Sequence, residues 1–201
     1  MIHKINSKGA FMDFLLQLDG NILLAIQEYI RHDWMDSFWK FITSFGDSGW
    51  FWLTVSLLLL IPRKTRKAGI TAIAAIAIGA LITNVTLKNL VARTRPYEVV
   101  EGLTLLIGKQ HDYSFPSGHT CASFAAALVY YRMLPRFWGT ASVILAALIA
   151  FSRLYVGVHY PSDVIAGLFI GAFAAWAAAR IIADVEKKGA ERRKEGEPGS
   201  H

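Results

Sequence analysis

A single cysteine, Cys121, stands in the 201 residues, so no disulfide can close within the chain. It lies in an apolar stretch two residues after His119 and reads as a small buried hydrophobe. Charge is also scarce. Charged residues make up 18% of the chain against 54% hydrophobic, less charge than a soluble domain usually carries. Runs of about 20 nearly uncharged residues exclude a merely apolar soluble helical protein. No Cys, His or carboxylate set stands at metal-ligand spacing, so neither a metal nor a cofactor is expected. The net charge of +6 does not form a nucleic-acid-binding face. Most of it lies in short loops and a C-terminal tail beside apolar runs, the pattern of membrane topology. There is no internal repeat. Met1–Ala10 is polar and the stretch after it amphipathic, so no cleavable signal peptide is expected.

What the chain has is a succession of apolar runs. Residues 11–31 repeat apolar positions at helical spacing but carry Asp13, Gln17, Asp19, Asn21, Gln27 and Glu28. They read as an interfacial amphipathic helix broken near Asp19-Gly20, with a true span as the alternative. Residues 33–45 read as a second interfacial helix, Trp34 and Trp39 suiting the headgroup region. Gly46-Asp47-Ser48-Gly49 then breaks the chain. Spans follow at 50–61, 68–90, 117–134, 137–154 and 161–183. Asn84 lies inside the second span as a helix–helix hydrogen-bonding residue, and Gly167-x-x-x-Gly171 in the last is a close-packing signal. From Glu186 the chain is Lys, Arg, Glu, Gly and Pro without apolar period, which reads as disorder.

The expected fold is therefore all-α: a polytopic integral membrane helix bundle of five to six transmembrane helices with amphipathic N-terminal helices. Residues 1–47 are the interfacial part, 48–185 the transmembrane domain and 186–201 a basic tail. Arg63, Lys64, Arg66, Lys67, Arg132, Arg136 and the tail share one side, which the positive-inside rule assigns to the cytoplasm.

Three pieces gather at the opposite helix ends. Lys88 and Arg95 are seven residues apart, two turns of a helix if the second span continues so far, and Pro96 stops it. Two converging cations need an anion, although taken alone they also fit side chains reaching to the headgroups. Arg93, between them, reads as such a headgroup-reaching cation. Pro116-Ser117-Gly118-His119 opens a helix. Ser117 suits the cap, unpaired N–H groups at such a start bind phosphate oxygens, Gly118 leaves room for close approach, and His119 is placed to donate a proton. The rival reading is plain capping. Last, Arg153 ends the fourth span, His159 precedes the fifth, and Asp163 follows four residues later. In a helical turn Asp163 can accept the proton of one ring nitrogen of His159 and leave the other free to attack. Asp163 also suits the helix start on dipole grounds alone. Together the pieces supply three cations, a donor loop, an acid, a nucleophile and an orienting carboxylate, which is what phosphoryl transfer requires.

Lys-x6-Arg-Pro, Pro-Ser-Gly-His and Ser-Arg-x5-His-x3-Asp resemble the three signature motifs of the type 2 phosphatidic acid phosphatase family. Lys88/Arg95/Pro96, Pro116/Ser117/Gly118/His119 and Ser152/Arg153/His159/Asp163 fit in order, spacing and type. The resemblance implies a metal-independent lipid phosphatase, and the positive-inside assignment puts its site on the extracytoplasmic face of the cytoplasmic membrane. His159 would form a phosphohistidine, Asp163 orient it, and His119 protonate the leaving oxygen. Lys88, Arg95, Arg153, Ser117 and Gly118 would hold the phosphate. Undecaprenyl diphosphate and phosphatidate or phosphatidylglycerophosphate are the implied substrate classes. The bilayer is the remaining partner, and a bell-shaped pH profile is expected because one histidine must be neutral and the other protonated. A vanadium haloperoxidase-like enzyme and a non-catalytic lipid-phosphate binder are the alternatives.

Overall fold

The computed structural model describes residues 7–195, with side chains over 14–192 except Ser48. Every regular element among them is helical. In chain order these are α1 (Ser7–Tyr29), α2 (Asp33–Ser44), a 3₁₀ turn (Asp47–Gly49), α3 (Trp50–Leu58) and α4 (Arg66–Ala80). A π-helical stretch (Leu81–Leu87) leads into α5 (Lys88–Val91). Then come α6 (Pro96–Val99), α7 (Gly118–Met133), α8 (Arg136–Tyr155) and α9 (Pro161–Glu195).

At the centre is α7, packed by α4, α8 and α9. Small residues allow this crowding. Ala125, Ala126 and Ala127 are fully buried. A Cβ on Gly167 or Gly171 would stand 2.6 Å from the carbonyl oxygens of Ser117 and Cys121 respectively, so the two glycines let α9 lie directly on the α7 backbone. Without a hydrophobic drive between helices in lipid, such close backbone contact is what holds them together. The consequence reaches the site. Ser117 N–H donates to the Asp163 carbonyl at 3.1 Å, so the starts of α7 and α9 are fixed side by side. Cys121 is buried in this seam, as its setting predicts.

Among the described residues three segments are long and apolar enough to cross a membrane: 66–99, 136–155 and 161–192. By contrast α7, with 16 residues, and α3, with 9, fall short of the about 20 that one crossing takes. Large apolar side chains cover the outside, among them Trp50, Leu90, Phe137 and Phe169, each more than 60% exposed. A surface of that kind belongs against lipid. The described part of the molecule is all-helical, and its apolar segments make it a membrane protein.

Two local expectations are corrected. There is no break at Asp19-Gly20: α1 runs unbroken, because Gly20 packs on Val100 and Asp19 is buried among partners. At the other end α9 continues through Glu195, so the stretch from Glu186, expected to be disordered, begins as helix. Extending an existing helix avoids the cost of nucleation, and Lys187 and Glu191 pair along it at 4.0 Å. Residues 196–201 lie outside the described part.

The N-terminal helices are tied to the bundle by polar contacts. Arg31 Nη1 donates to the Thr104 carbonyl at 2.8 Å, and Thr104 N–H to Gln27 Oε1 at 2.7 Å, so α1 holds the long loop between α6 and α7. Tyr155 hydroxyl donates to Asp36 at 2.9 Å, pinning α2 to the end of α8. The outer face of α2 carries the exposed Trp34, Phe38 and Phe41.

Candidate active site

The turn between α8 and α9 carries His159. Gly157 has φ +80, a conformation that favours glycine, and it turns the chain back so that Val158 and His159 point inward. His159 is 1% exposed. Pro161 opens α9 at its first position, where a missing N–H costs nothing. Asp163 then sits at the third helical position and reaches back to the Tyr160 N–H at 3.0 Å, the acidic half of a capping box. The same oxygen, Oδ2, accepts the Ser114 hydroxyl and lies 3.4 Å from His159 Nδ1, a long contact. Helix capping and histidine orientation are thus carried by one carboxylate. With Nδ1 turned to Asp163, Nε2 is left facing Arg95, whose Nη1 stands 3.3 Å away. Burial together with the Arg95 and Arg153 charges pushes the His159 imidazole down to about 3, against the opposing pull of Asp163.

Lys88 and Arg95 come together, but not through helix phase. The helix ends at Val91, Ala92 takes a left-handed conformation at φ 47, and Arg95 sits in extended backbone ahead of α6. That conformation is costly for alanine and persists only because the surroundings hold it. Both cations are buried, and both grip one carboxylate, Asp112, from the loop between α6 and α7. Burial opposes ionisation of that carboxyl, yet the two ion pairs win and hold it down to about 2. Arg95 is further fixed through Nη1 to the Val158 carbonyl, at 2.8 Å, and through Nε to that of Asp112, at 2.9 Å. The π-helical turn just before Lys88 widens the helix there; such turns collect at functional sites.

Arg153, at the end of α8, is 1% exposed. Its Nη1 donates to Thr43 of α2 at 2.7 Å, while Nε and Nη2 find no partner among the described residues. Buried guanidinium N–H groups without acceptors are expensive, so this end of the side chain favours an anion.

Ser117 caps α7, accepting from Thr120 N–H at 3.4 Å and Thr120 hydroxyl at 3.0 Å. The space beside Gly118 is bounded by a side chain: a Cβ there would meet Asn84 Oδ1 at 2.9 Å. Rather than bridging helices, the Asn84 amide packs on this turn. His119 Nε2 lies 3.0 Å from Asp47 Oδ1, and its ring rests on Gly46, where a Cβ would come within 2.6 Å. The Gly46-Asp47-Ser48-Gly49 stretch is therefore more than a breaker, since it seats the second imidazole. The hydrogen bond to His119 holds the Asp47 carboxyl below its usual range. A cavity of about 420 Å³ joins His119, Lys88 and Asp112 and continues between the helices past Ile76, Ala80 and Ala122.

All eight residues singled out by sequence thus lie at one end of the bundle. Sequence reasoning missed Asp47, Asp112, Asp19 and the inward role of Arg93. For Asp47 the available signal was an acid flanked by glycines just before an apolar helix.

This arrangement matches a known group. The family model of the PAP2 superfamily matches residues 68–187, and the chain belongs to that superfamily. Among curated proteins it is 36% identical over 141 residues to an undecaprenyl-diphosphatase of Sulfolobus acidocaldarius, covering 70% of this chain and 68% of that one. It is 37% identical over 138 residues to a decaprenylphosphoryl-5-phosphoribose phosphatase of Mycobacterium tuberculosis, covering 65% and 71%. Among solved structures, Aquifex aeolicus LpxE superimposes with a TM-score of 0.71 at 29% identity, over 83% of this chain and 95% of that one.

Proposed function

We propose that the protein is a membrane phosphatase that hydrolyses the phosphate of a lipid through a phosphohistidine. The observation that carries the proposal is the anion cradle beside a histidine nitrogen. Arg95 and Lys88 already grip a carboxylate, Arg153 has unsatisfied donors, and His159 Nε2 faces this set. In the reaction Nε2 forms a bond to phosphorus while the bond from phosphorus to the lipid oxygen breaks. That oxygen takes the proton of His119. Water then attacks phosphorus, the Nε2–P bond breaks, and the water proton passes to the neutral His119. Lys88, Arg95 and Arg153 neutralise the equatorial oxygens as charge develops. The Gly118 N–H and the Ser117 cap lie at the helix start that faces them. The substrate phosphate displaces the Asp112 carboxylate, which is half exposed and sits in a loop. No metal is needed for any of these steps.

The substrate class is a polyprenyl diphosphate, with phosphatidate and phosphatidylglycerophosphate as the competing lipids. The polyprenyl-linked substrates named for two relatives support that preference. Five crossings of the cytoplasmic membrane, or six if α1 spans, require the short α3 and α7 to cross with the help of the residues that flank them. Residues 1–47 are the interfacial part and 48–185 the transmembrane domain, and the site opens on the extracytoplasmic face, opposite the basic loops. The test is purified protein in detergent with EDTA, given each of the three lipids. Release of inorganic phosphate, fastest from undecaprenyl diphosphate, is the expected result. No release from any lipid overturns the function, and release that requires added divalent cation overturns the metal-free mechanism.

The pH profile is a second check. Because His159 is pushed down to about 3, it stays neutral far below the ordinary histidine value of about 6.5. Protonation of the nucleophile therefore does not limit kcat/KM between pH 5 and 7. kcat/KM falls as pH rises and His119 loses the proton it must donate. An acid limb near pH 6.5 that titrates with His159 contradicts this assignment.

A further inference from the structure

Arg93 does not reach for lipid headgroups. Its side chain is 15% exposed and turned inward. Nη1 donates to Asp163 Oδ1 and to the Ser162 hydroxyl, both at 2.7 Å, and Nη2 to Asp19 Oδ2 at 2.8 Å. The guanidinium lies 3.8 Å from the centroid of the Tyr160 ring, close enough for a cation–π contact. Asp19, from the middle of α1, is itself 6% exposed. Its other oxygen takes the Ser162 N–H at 3.0 Å, and Oδ2 also accepts the Ser162 hydroxyl. Two buried carboxylates, one from α1 and one from α9, thus share one guanidinium.

We propose that Arg93 is a positioning residue for the Asp163–His159 pair, locked in place by Asp19, so that the N-terminal helix forms part of the catalytic apparatus. The proposal rests on the phosphatase reading given above. The physical reason is the rotation of one carboxylate. Asp163 is completely buried, and Ser114, Tyr160 N–H and His159 all address its Oδ2. Three partners on one oxygen leave the other, Oδ1, to be satisfied from elsewhere. Arg93 supplies that contact and sets the plane of the group. Without it Oδ1 is a buried, unpaired acceptor, and the carboxylate turns to find a donor. Its contact to His159 Nδ1, already at 3.4 Å, is then the first to be lost. Asp19 does for Arg93 what Arg93 does for Asp163, since a fork gripped at both ends cannot swing away. A carboxylate in the middle of an apolar helix is costly unless paired, and this pairing accounts for its presence.

Arg93 also borders the cavity that holds Lys88 and Arg95, so direct contact with substrate is the competing role. Arg93→Gln, Arg93→Lys and Asp19→Asn separate the two. Phosphate release by full-length protein gives kcat and KM, and ¹⁵N-histidine spectra give the His159 tautomer without any substrate. Arg93→Gln is expected to lower kcat about 10–100-fold, the scale for a partner that orients a reacting group, at unchanged KM. Arg93→Lys recovers part of the loss, because an ammonium reaches Oδ1 but cannot span both carboxylates. Asp19→Asn shows a smaller loss with the same signature. In the spectra Nδ1–H dominates the wild type and gives way in Arg93→Gln. Wild-type kcat in Arg93→Gln overturns the proposal, as does a rise in KM at constant kcat, which makes Arg93 a substrate contact. An unchanged tautomer in Arg93→Gln overturns it as well. Wild-type protein that releases no phosphate from any lipid instead sinks the phosphatase reading, and the tautomer then decides the network alone.

Discussion

His159→Ala protein is expected to fold and extract like the wild type but to release phosphate at least about 10⁴-fold more slowly, the scale seen when a nucleophile is removed from a group of residues that act as a unit. The size of the loss follows from position. His159 is fully buried, its Nδ1 is turned to Asp163, and its Nε2 is the nitrogen that faces the cations. With the imidazole gone, water must attack the phosphate directly. Binding is lost far less, because Lys88, Arg95 and Arg153 remain. The measurement pairs phosphate release with retention of radiolabelled lipid. Release within tenfold of wild type removes the covalent route. Unchanged biological activity in this variant supports the non-catalytic binder instead.

Arg153→Ala should reduce kcat by about 10²–10³, the range for removing one donor to developing charge in a dry site. Two of its three nitrogens lack partners, and its charge acts on both His159 and Asp47. The side chain is wholly buried, so Thr43→Val serves as a control for packing: it removes the one hydrogen bond that the Arg153 guanidinium makes among the described residues and leaves the guanidinium in place. That control keeps most of the activity. Arg153→Lys restores the charge without the planar fork and recovers only part of it. Activity in Arg153→Ala equal to that of Thr43→Val would show that the unpaired N–H groups do not meet the phosphate.

The parts of the site that could be read in sequence are those made by local geometry. Ser117 caps a helix whose start it opens, and Asp163 stands at the helix position from which a carboxylate reaches back over one turn. Gly167 and Gly171 announce a close helix contact by their spacing alone. Each depends on residues within four of one another. The rest could not be read this way. Lys88 and Arg95 converge through a left-handed residue at Ala92, not through two turns of helix, and nothing in alanine signals that conformation. Asp47 lies 72 positions from the histidine it holds, and Asp19 lies 74 from Arg93.

By itself the sequence determined that the chain is helical, that it belongs in a membrane, and which motif residues share one end of the bundle. Apolar runs and short-range spacing suffice for that, since a helix satisfies its own backbone. Only the tertiary structure decided which acid serves which base. Asp19, Asp47 and Asp112 are ordinary surface-type residues in the sequence, and each acquires its partner from a different helix or loop. In a buried setting a carboxylate must find a cation or a donor, and which one it finds depends on how the helices pack.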